Sequence, residues 1–326
     1  MNRRSWLGVA VSLGTSICVG AACAQEGEKW PSKPVKLIVP FPPGGTTDIV
    51  ARLIAEKLTA TLGQPVVVDN RGGAGGRLGT EQIARARDHH TIGMGTVSTL
   101  VLNPILYPSL PYNPAKDIVP VTNVAEVPNV MSINARVNAA DIKAFIGLAK
   151  AQPGAFAYGS AGNGSVSHFM GEVFKASSHL DLLHVPYKGV GPALSDAIAG
   201  QVQVLFDNLP SSLPHIQAGR LRALALAAPR RIDALPGVPT FGELGMWEVN
   251  DPSWFGIVAP AKMPDSAVSR VQRDVAKILA QSDVRERFAQ IGATPLGNSQ
   301  SEFAAQIADM LDRNRKIAEQ AGIRIE

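Results

Sequence analysis

The chain has 326 residues, 45% of them hydrophobic, and a formal charge of +4, half of it from Arg3 and Arg4. That is apolar material enough for a sizeable core without disulfides, and the length predicts two domains. Lysine and arginine form no cluster and aromatic residues make up only 6%, which argues against nucleic acid as a partner.

The first residues read as an export signal. Arg3 and Arg4 precede an uncharged, mostly apolar run from Trp6 to Gly20, and Ala22-Cys23-Ala24 supplies a small-residue cleavage pattern. The run is shorter than the ~20 residues a membrane span needs. Residues 1–24 are therefore expected to be removed, leaving a soluble exported chain that starts at Gln25. Arg3-Arg4-Ser5-Trp6-Leu7 also resembles a twin-arginine signal, so the route stays open between that and general secretion. Both cysteines, Cys18 and Cys23, lie in this segment. The mature chain then has no thiol for a disulfide, a nucleophile or a thiolate metal site.

Beyond the signal the chain repeats a grammar of strand, turn and helix. Val35 to Val39 predicts a core strand, Pro40 to Gly45 stops it, and Ile49, Val50, Leu53, Ile54, Leu58 and Leu62 recur at helical spacing. Thr46, Thr47 and Asp48 bring capping chemistry to the start of that helix, whose unpaired N–H groups make a seat for a carboxylate or phosphate. A capped turn with nothing bound fits this stretch equally well. Pro65 to Asp69 predicts a second strand, Asn70 to Gly79 a glycine-rich turn, Thr80 to Arg87 a helix and Ile92 to Thr96 a third strand. His89-His90 is expected in an exposed turn. The alternation predicts an α/β architecture with mainly parallel sheets. Val119 to Val127 and Trp254 to Ala259 are the expected crossovers between two domains.

The middle segment repeats the pattern. Asp141 is expected to cap a helix to Ala151, and a strand starting at Phe156 runs into Tyr158-Gly159-Ser160-Ala161-Gly162-Asn163-Gly164-Ser165. A helix with the apolar face Val166, Phe169, Met170, Val173 and Phe174 comes next. The glycines let the backbone approach a ligand, and Ser160 and Ser165 add donors. No Walker A sequence, G-x-S-x-G elbow or H-E-x-x-H pair occurs, and Gly73 to Leu78 fails the dinucleotide pattern at Leu78. His168 reads as a ligand contact or as a capping and packing group. Asp207, at the end of a strand from Val202 to Phe206, reads as a site carboxylate or a loop anchor. Lys188 could complement an acid or simply be solvated, and Trp247, Trp254 and Phe255 read as core and hinge packing. Helices are expected over Pro264 to Ala280, Asp283 to Gln290 and Ser301 to Ala321.

Taken in order, PFPPGGTTD, VVDNRGGAGG, YGSAGNGS, HVPYKG, FDNLPSSLPHI, GRLRALAL, LPGVPTFGELG and SWFGIVAPAKMP resemble the Bug family, the extracytoplasmic receptors of tripartite tricarboxylate transporters. The resemblance covers essentially the whole chain after the signal. It implies a type II periplasmic-binding-protein fold: two α/β lobes, two crossover strands and a cleft that closes by hinge motion over a small organic carboxylate. By this likeness lobe 1 is 25–126 with 252–326, and lobe 2 is 127–251. The implied first-lobe contacts are Phe41, Gly44, Gly45, Thr46, Thr47 and Asp48, followed by Thr96 and Ser98. The second lobe would contribute Ser160, Ala161, Gly162, Asn163, Gly164 and Ser165, with Lys188 and Asp207 at the rim. The implied protein is a periplasmic monomer with no cofactor, no metal and no reaction, docking on membrane transporter subunits.

The chain departs from the family at Arg87-Asp88-His89-His90, where Pro-Asp-Gly-Tyr is usual, at Gly93, where a bulky residue is usual, and at Arg77, where a small or polar one is. These positions are expected to lie away from the ligand loops and to alter local stability. Two other classes remain open from the residues alone: an exported enzyme using Asp207 and His168, and a sensor of the same fold that signals through a partner protein.

Overall fold

The computed structural model describes residues 30–325. The export signal, its cleavage point and both cysteines lie outside the described residues. In chain order the elements are β1 (Val35–Val39), α1 (Thr46–Leu62), β2 (Val66–Asn70), α2 (Arg77–Arg85), β3 (Thr91–Thr96), the short helices α3 (Asn103–Leu106) and α4 (Pro114–Asp117), and β4 (Ile118–Val127). After Pro128 come β5 (Asn129–Asn134), α5 (Ile142–Ala151), β6 (Phe156–Ser160), α6 (Val166–Ser178), β7 (Leu182–Pro186), α7 (Val190–Ala199), β8 (Val204–Asn208), α8 (Leu209–Gln217) and β9 (Leu221–Ala227). The chain closes with β10 (Ser253–Pro260), α9 (Asp265–Leu279), α10 (Ser282–Gln290), β11 (Thr294–Pro295) and α11 (Gln300–Ala321).

These strands form two sheets, one ordered β11-β4-β10-β3-β1-β2 and one ordered β7-β6-β8-β5-β9. Each is the centre of an α/β lobe, as the resemblance implied. The apolar runs read from sequence are buried for the expected reason: helices cover both faces of the sheets. Val35, Leu37 and Val39 are sealed beneath Val50, Ile54 and Leu58 of α1, in one core with Val271 and Val275 of α9. In the other sheet Tyr158 and Phe206 pack edge to face against one another.

The expectation of mainly parallel sheets needs correcting. β1 runs parallel to β2 and β3, and β6 parallel to β7 and β8. β3–β10, β10–β4, β4–β11, β5–β8 and β5–β9 are antiparallel. The cause is the chain's two passages between lobes. β4 leaves the first sheet and continues through Pro128 into β5 of the second, and β10 returns beside β4 after residues 228–252. Strands that enter a sheet this way run against the βαβ strands already there.

Smaller differences have local causes. α2 begins at Arg77 and not at Thr80, because Ala74–Gly76 already winds a tight helical turn. Thr80 lies inside the helix, its hydroxyl bonded back to the Gly76 carbonyl at 2.9 Å. His89 is exposed as expected, but His90 is buried, its Nε2 accepting the Ser32 N–H at 3.1 Å. Gly93 is explained by Ile83 of α2, which fills the space a side chain would need: a Cβ there would sit 2.1 Å from Ile83 Cδ1. Trp247 was expected in the packing and is instead 70% exposed. No described helix is long and apolar enough to cross a membrane.

Candidate functional site

The first loop leaves β1 and enters α1 as the sequence suggests, but the capping is different. Gly45 is the N-cap, in extended conformation and without a capping side chain. Thr46 and Thr47 form the first turn, so their N–H groups have no intrahelical acceptor and face the positive end of a 17-residue helix. Asp48 is a brace. Its carboxylate accepts the Gly44 N–H at 3.1 Å, the Asn70 amide at 3.0 Å and the Arg52 guanidinium at 3.0 Å. Burial pushes the Asp48 carboxyl up, but these donors outweigh it and hold the group below the usual range.

The second loop is more fully self-paired. Ser165 caps α6, accepting the His168 N–H at 3.2 Å and donating to the Gly162 carbonyl at 2.6 Å. The Ala161 N–H goes to Ser167 Oγ at 2.8 Å, and the Gly162 N–H to Ser160 Oγ at 3.1 Å. The sequence predicts glycine backbone open to a ligand here, with Ser160 and Ser165 as added donors. In this loop the neighbouring side chains have taken most of the backbone donors, because small hydroxyl residues so close to a tight turn bond it locally. What it turns to the cleft is Ala161 and the hydroxyl residues Ser165 and Ser167.

The lobes touch along the cleft. Val166 N–H at the start of α6 donates to Ser98 Oγ of the first lobe at 3.0 Å. Thr46 Oγ1 lies 3.0 Å from Ser211 Oγ, and Tyr107 Oη donates to the Asn163 carbonyl at 2.9 Å. Gly75 approaches Asn163 so closely that a Cβ on it would sit 2.2 Å from the Asn163 oxygen, and Gly189 abuts the Pro42 ring in the same way. The cavity between the lobes is narrow, with about 40 Å³ open to the centre of a water molecule.

Of the expected contacts, Phe41, Gly45, Thr46, Thr47, Thr96, Ser98, Ala161, Ser165 and Asp207 line this cavity. Gly44, Asp48, Ser160, Gly162, Asn163 and Gly164 stand behind it and shape the two loops. Lys188 is exposed and is not among the lining residues. Asp207 is a wall and an anchor at once, accepting from Ser211 Oγ and Ser212 Oγ at 2.6 Å each and from Asn208 N–H. Burial pushes it up to about 6, against the pull of those bonds. Because Ser211 gives its proton to Asp207, Thr46 must be the donor in their contact.

Sequence reasoning missed Ser253, Val190 and Asn208 as walls, and placed Trp254 and Phe255 only in packing; all five line the cavity. Arg77 was expected away from the ligand loops, yet its guanidinium lies 4.1 Å over the Tyr107 ring, and Tyr107 is the residue that reaches Asn163. No lysine or arginine lines the cavity among the described residues, and none of their His, Cys, Asp and Glu side chains group in threes suited to a metal ion.

Comparison with known proteins agrees with this architecture. A family model for the tripartite tricarboxylate transporter family receptor matches residues 50–323. Protein BugT of Bordetella pertussis is 37% identical over 309 residues, covering 94% of this chain and 95% of its own. An R. palustris protein solved with adipate superposes with a TM-score of 0.87 at 35% identity, covering 90% of this chain and 99% of its own. MatC from Rhodopseudomonas palustris, with bound malate, gives a TM-score of 0.84 at 32% identity, covering 88% and 99%. With the two-lobed type II periplasmic-binding-protein fold in place, the chain belongs to the receptor family of the tripartite tricarboxylate transporters.

Proposed function

We propose that this receptor works in the periplasm, closes over a small organic carboxylate and hands it, as a monomer without cofactor, to the membrane subunits of a tripartite tricarboxylate-type transporter. The observation that carries the reading is the cleft wall. It offers the open first turn of α1, a set of hydroxyl groups and three aromatic residues, Phe41, Trp254 and Phe255, with no lysine or arginine in the wall among the described residues. A carboxylate seated on the Thr46 and Thr47 N–H groups would take the place the helix dipole favours. Ser98 now occupies the Val166 N–H at the opposing helix, and a ligand oxygen would replace that hydroxyl in kind. Neutral donors hold an anion without the strength of a bidentate arginine, which suits a carrier that must release its cargo.

The proposed lobes are 25–126 with 252–326, and 127–251, with residues 1–24 removed on export. Closure is a population shift, since a ligand bridging both lobes binds the closed state better. The relatives solved with adipate and malate support a carboxylate with two acidic ends. An enzymatic role for Asp207 and His168 has little to stand on. The first is committed to Ser211, Ser212 and Asn208, and the second to its own loop.

A thermal-shift screen over mono-, di- and tricarboxylates, amino acids and aromatic acids tests the proposal. A carboxylate present at 100 times its Kd should add about 2.7 kcal/mol of stability and raise Tm by roughly 5 °C. A shift produced only by neutral sugars or cations would overturn it.

A further inference from the structure

Beneath the second loop the fold packs two imidazoles face to face, and none of the proposed ligand contacts requires them. His168 comes from α6, and His184 from β7, where it pairs in register with Tyr158. The two ring centroids are 4.4 Å apart and 28° from parallel. The Tyr158 ring stacks on His184 at 4.8 Å. Each imidazole reaches the loop. His184 Nε2 lies 2.7 Å from Ser160 Oγ, the atom that accepts the Gly162 N–H, and His168 Nδ1 accepts the Gly164 N–H at 3.4 Å. Two amides of the loop are thus fixed, directly or through one hydroxyl, by two stacked rings.

The Gly164 bond requires a neutral His168, and the stacking disfavours charge on both rings. An imidazole nitrogen accepts a hydrogen bond only when it carries no proton, so His168 Nδ1 is bare. A proton on it would set N–H against the Gly164 N–H, and charge on both stacked rings would repel. The charged and titratable groups facing the pair are Glu172 and Lys175 of α6 and Tyr158 of β6. Glu172 accepts from the Tyr158 hydroxyl and, at 3.0 Å, from the Lys175 ammonium, so its charge is largely spoken for. Burial lowers His168, with Glu172 opposing and Lys175 reinforcing. Burial, then the charge of His168, pushes His184 down to about 4.

We propose that His168 and His184 are positioning residues for the carboxylate site: the neutral pair holds Gly162 and Gly164 in the shape that closes on the ligand, and its protonation releases the loop. The ligand consequence rests on the carboxylate reading of the cleft. A base that ionises less readily in the ordered loop than in a released one favours the ordered loop above about pH 6.5, and that preference is lost as acid rises toward pH 4.

The test compares the wild-type mature chain with the double variant His168→Asn, His184→Gln, whose amide oxygens stand near the two imidazole nitrogens and do not titrate. In ligand-free ¹⁵N spectra between pH 7 and 4.5, the Gly162 and Gly164 amides of the wild type should move with the His168 and His184 imidazole signals, and those of the variant should stay still. Malate affinity should fall at least tenfold further in the wild type than in the variant over the same range, a ratio from which the ionisation of malate itself cancels. Glycine amides that titrate equally in both proteins, or imidazoles that titrate without moving them, would overturn the proposal. Failure of malate and every other carboxylate to bind at pH 7 would count against the carboxylate reading alone, because the ligand-free spectra report on the loop independently.

Discussion

Replacing Gly75 by alanine should weaken ligand capture at least tenfold while the protein stays folded. The residue sits at φ +60°, and the three atoms nearest a Cβ there belong to Asn163 and Gly164 on the other lobe, the nearest at 2.2 Å. Those are backbone atoms, so no rotamer change relieves the collision and the lobes must part. A tenfold loss corresponds to about 1.4 kcal/mol of the closed state's advantage. The left-handed backbone adds a separate penalty of roughly 1–2 kcal/mol for any residue with a Cβ. Gly219→Ala separates the two effects, since Gly219 has φ +68° and open space around it. That variant should lose similar stability and keep its affinity. Calorimetric Kd values for both, beside urea midpoints, decide the matter; equal affinities would mean that the approach of Gly75 to Asn163 plays no part in capture.

Asp48→Ala should be the most destabilising change in the first loop, by roughly 2–3 kcal/mol, and should also weaken binding. The carboxylate gathers the Gly44 N–H, the Asn70 amide and the Arg52 guanidinium, and the carboxylate side chain is only 7% exposed. Removing it takes the acceptor from the exposed Gly44 N–H and Arg52 guanidinium and from the half-buried Asn70 amide, and hydrogen bonds to a charged group contribute about 1.5–3 kcal/mol each. It also frees the loop that presents Thr46 and Thr47. Because the folded-state pKa is depressed, the stabilisation is present above the usual carboxylate pKa of about 3.9 and is lost as pH falls through the lower folded value. Urea unfolding at pH 7 and at pH 3 should therefore show a large gap between variant and wild type at the first pH and a smaller one at the second. A gap that does not narrow would place the effect of Asp48 outside its charge.

How much of this was legible in the residues varies with the distance over which each feature is decided. The first loop was plain, because an apolar run, a Pro-Gly stop and a helical period all lie within 28 residues of one another and each has its own signal. Asp48 was legible as a group at the helix start, but its bonds to Asn70 and Arg52 were not. The second loop was also visible, but not the use it makes of its amides, since Ser167 lies one turn ahead and His184 lies on another strand. The orientation of β4 and β10 was hidden for a related reason: a strand's direction in a sheet depends on where the chain has been, not on its composition. Least legible were the contacts across the cleft. Ser98 on Val166, Tyr107 on Asn163 and Pro42 on Gly189 exist only where the two lobes meet, and no spacing encodes that. Arg77 belongs with them, reaching the cleft only through the ring of Tyr107.

The central claim is that one carboxylate ligand engages the starts of α1 and α6 together. It is tested most directly by titrating the ¹⁵N-labelled protein with the strongest carboxylate from the thermal screen and following the amides of Thr46, Thr47 and Val166. Both helix starts should shift along a single binding curve with one Kd. Movement at α1 with Val166 unchanged, or two curves with different Kd values, would contradict a ligand shared between the lobes.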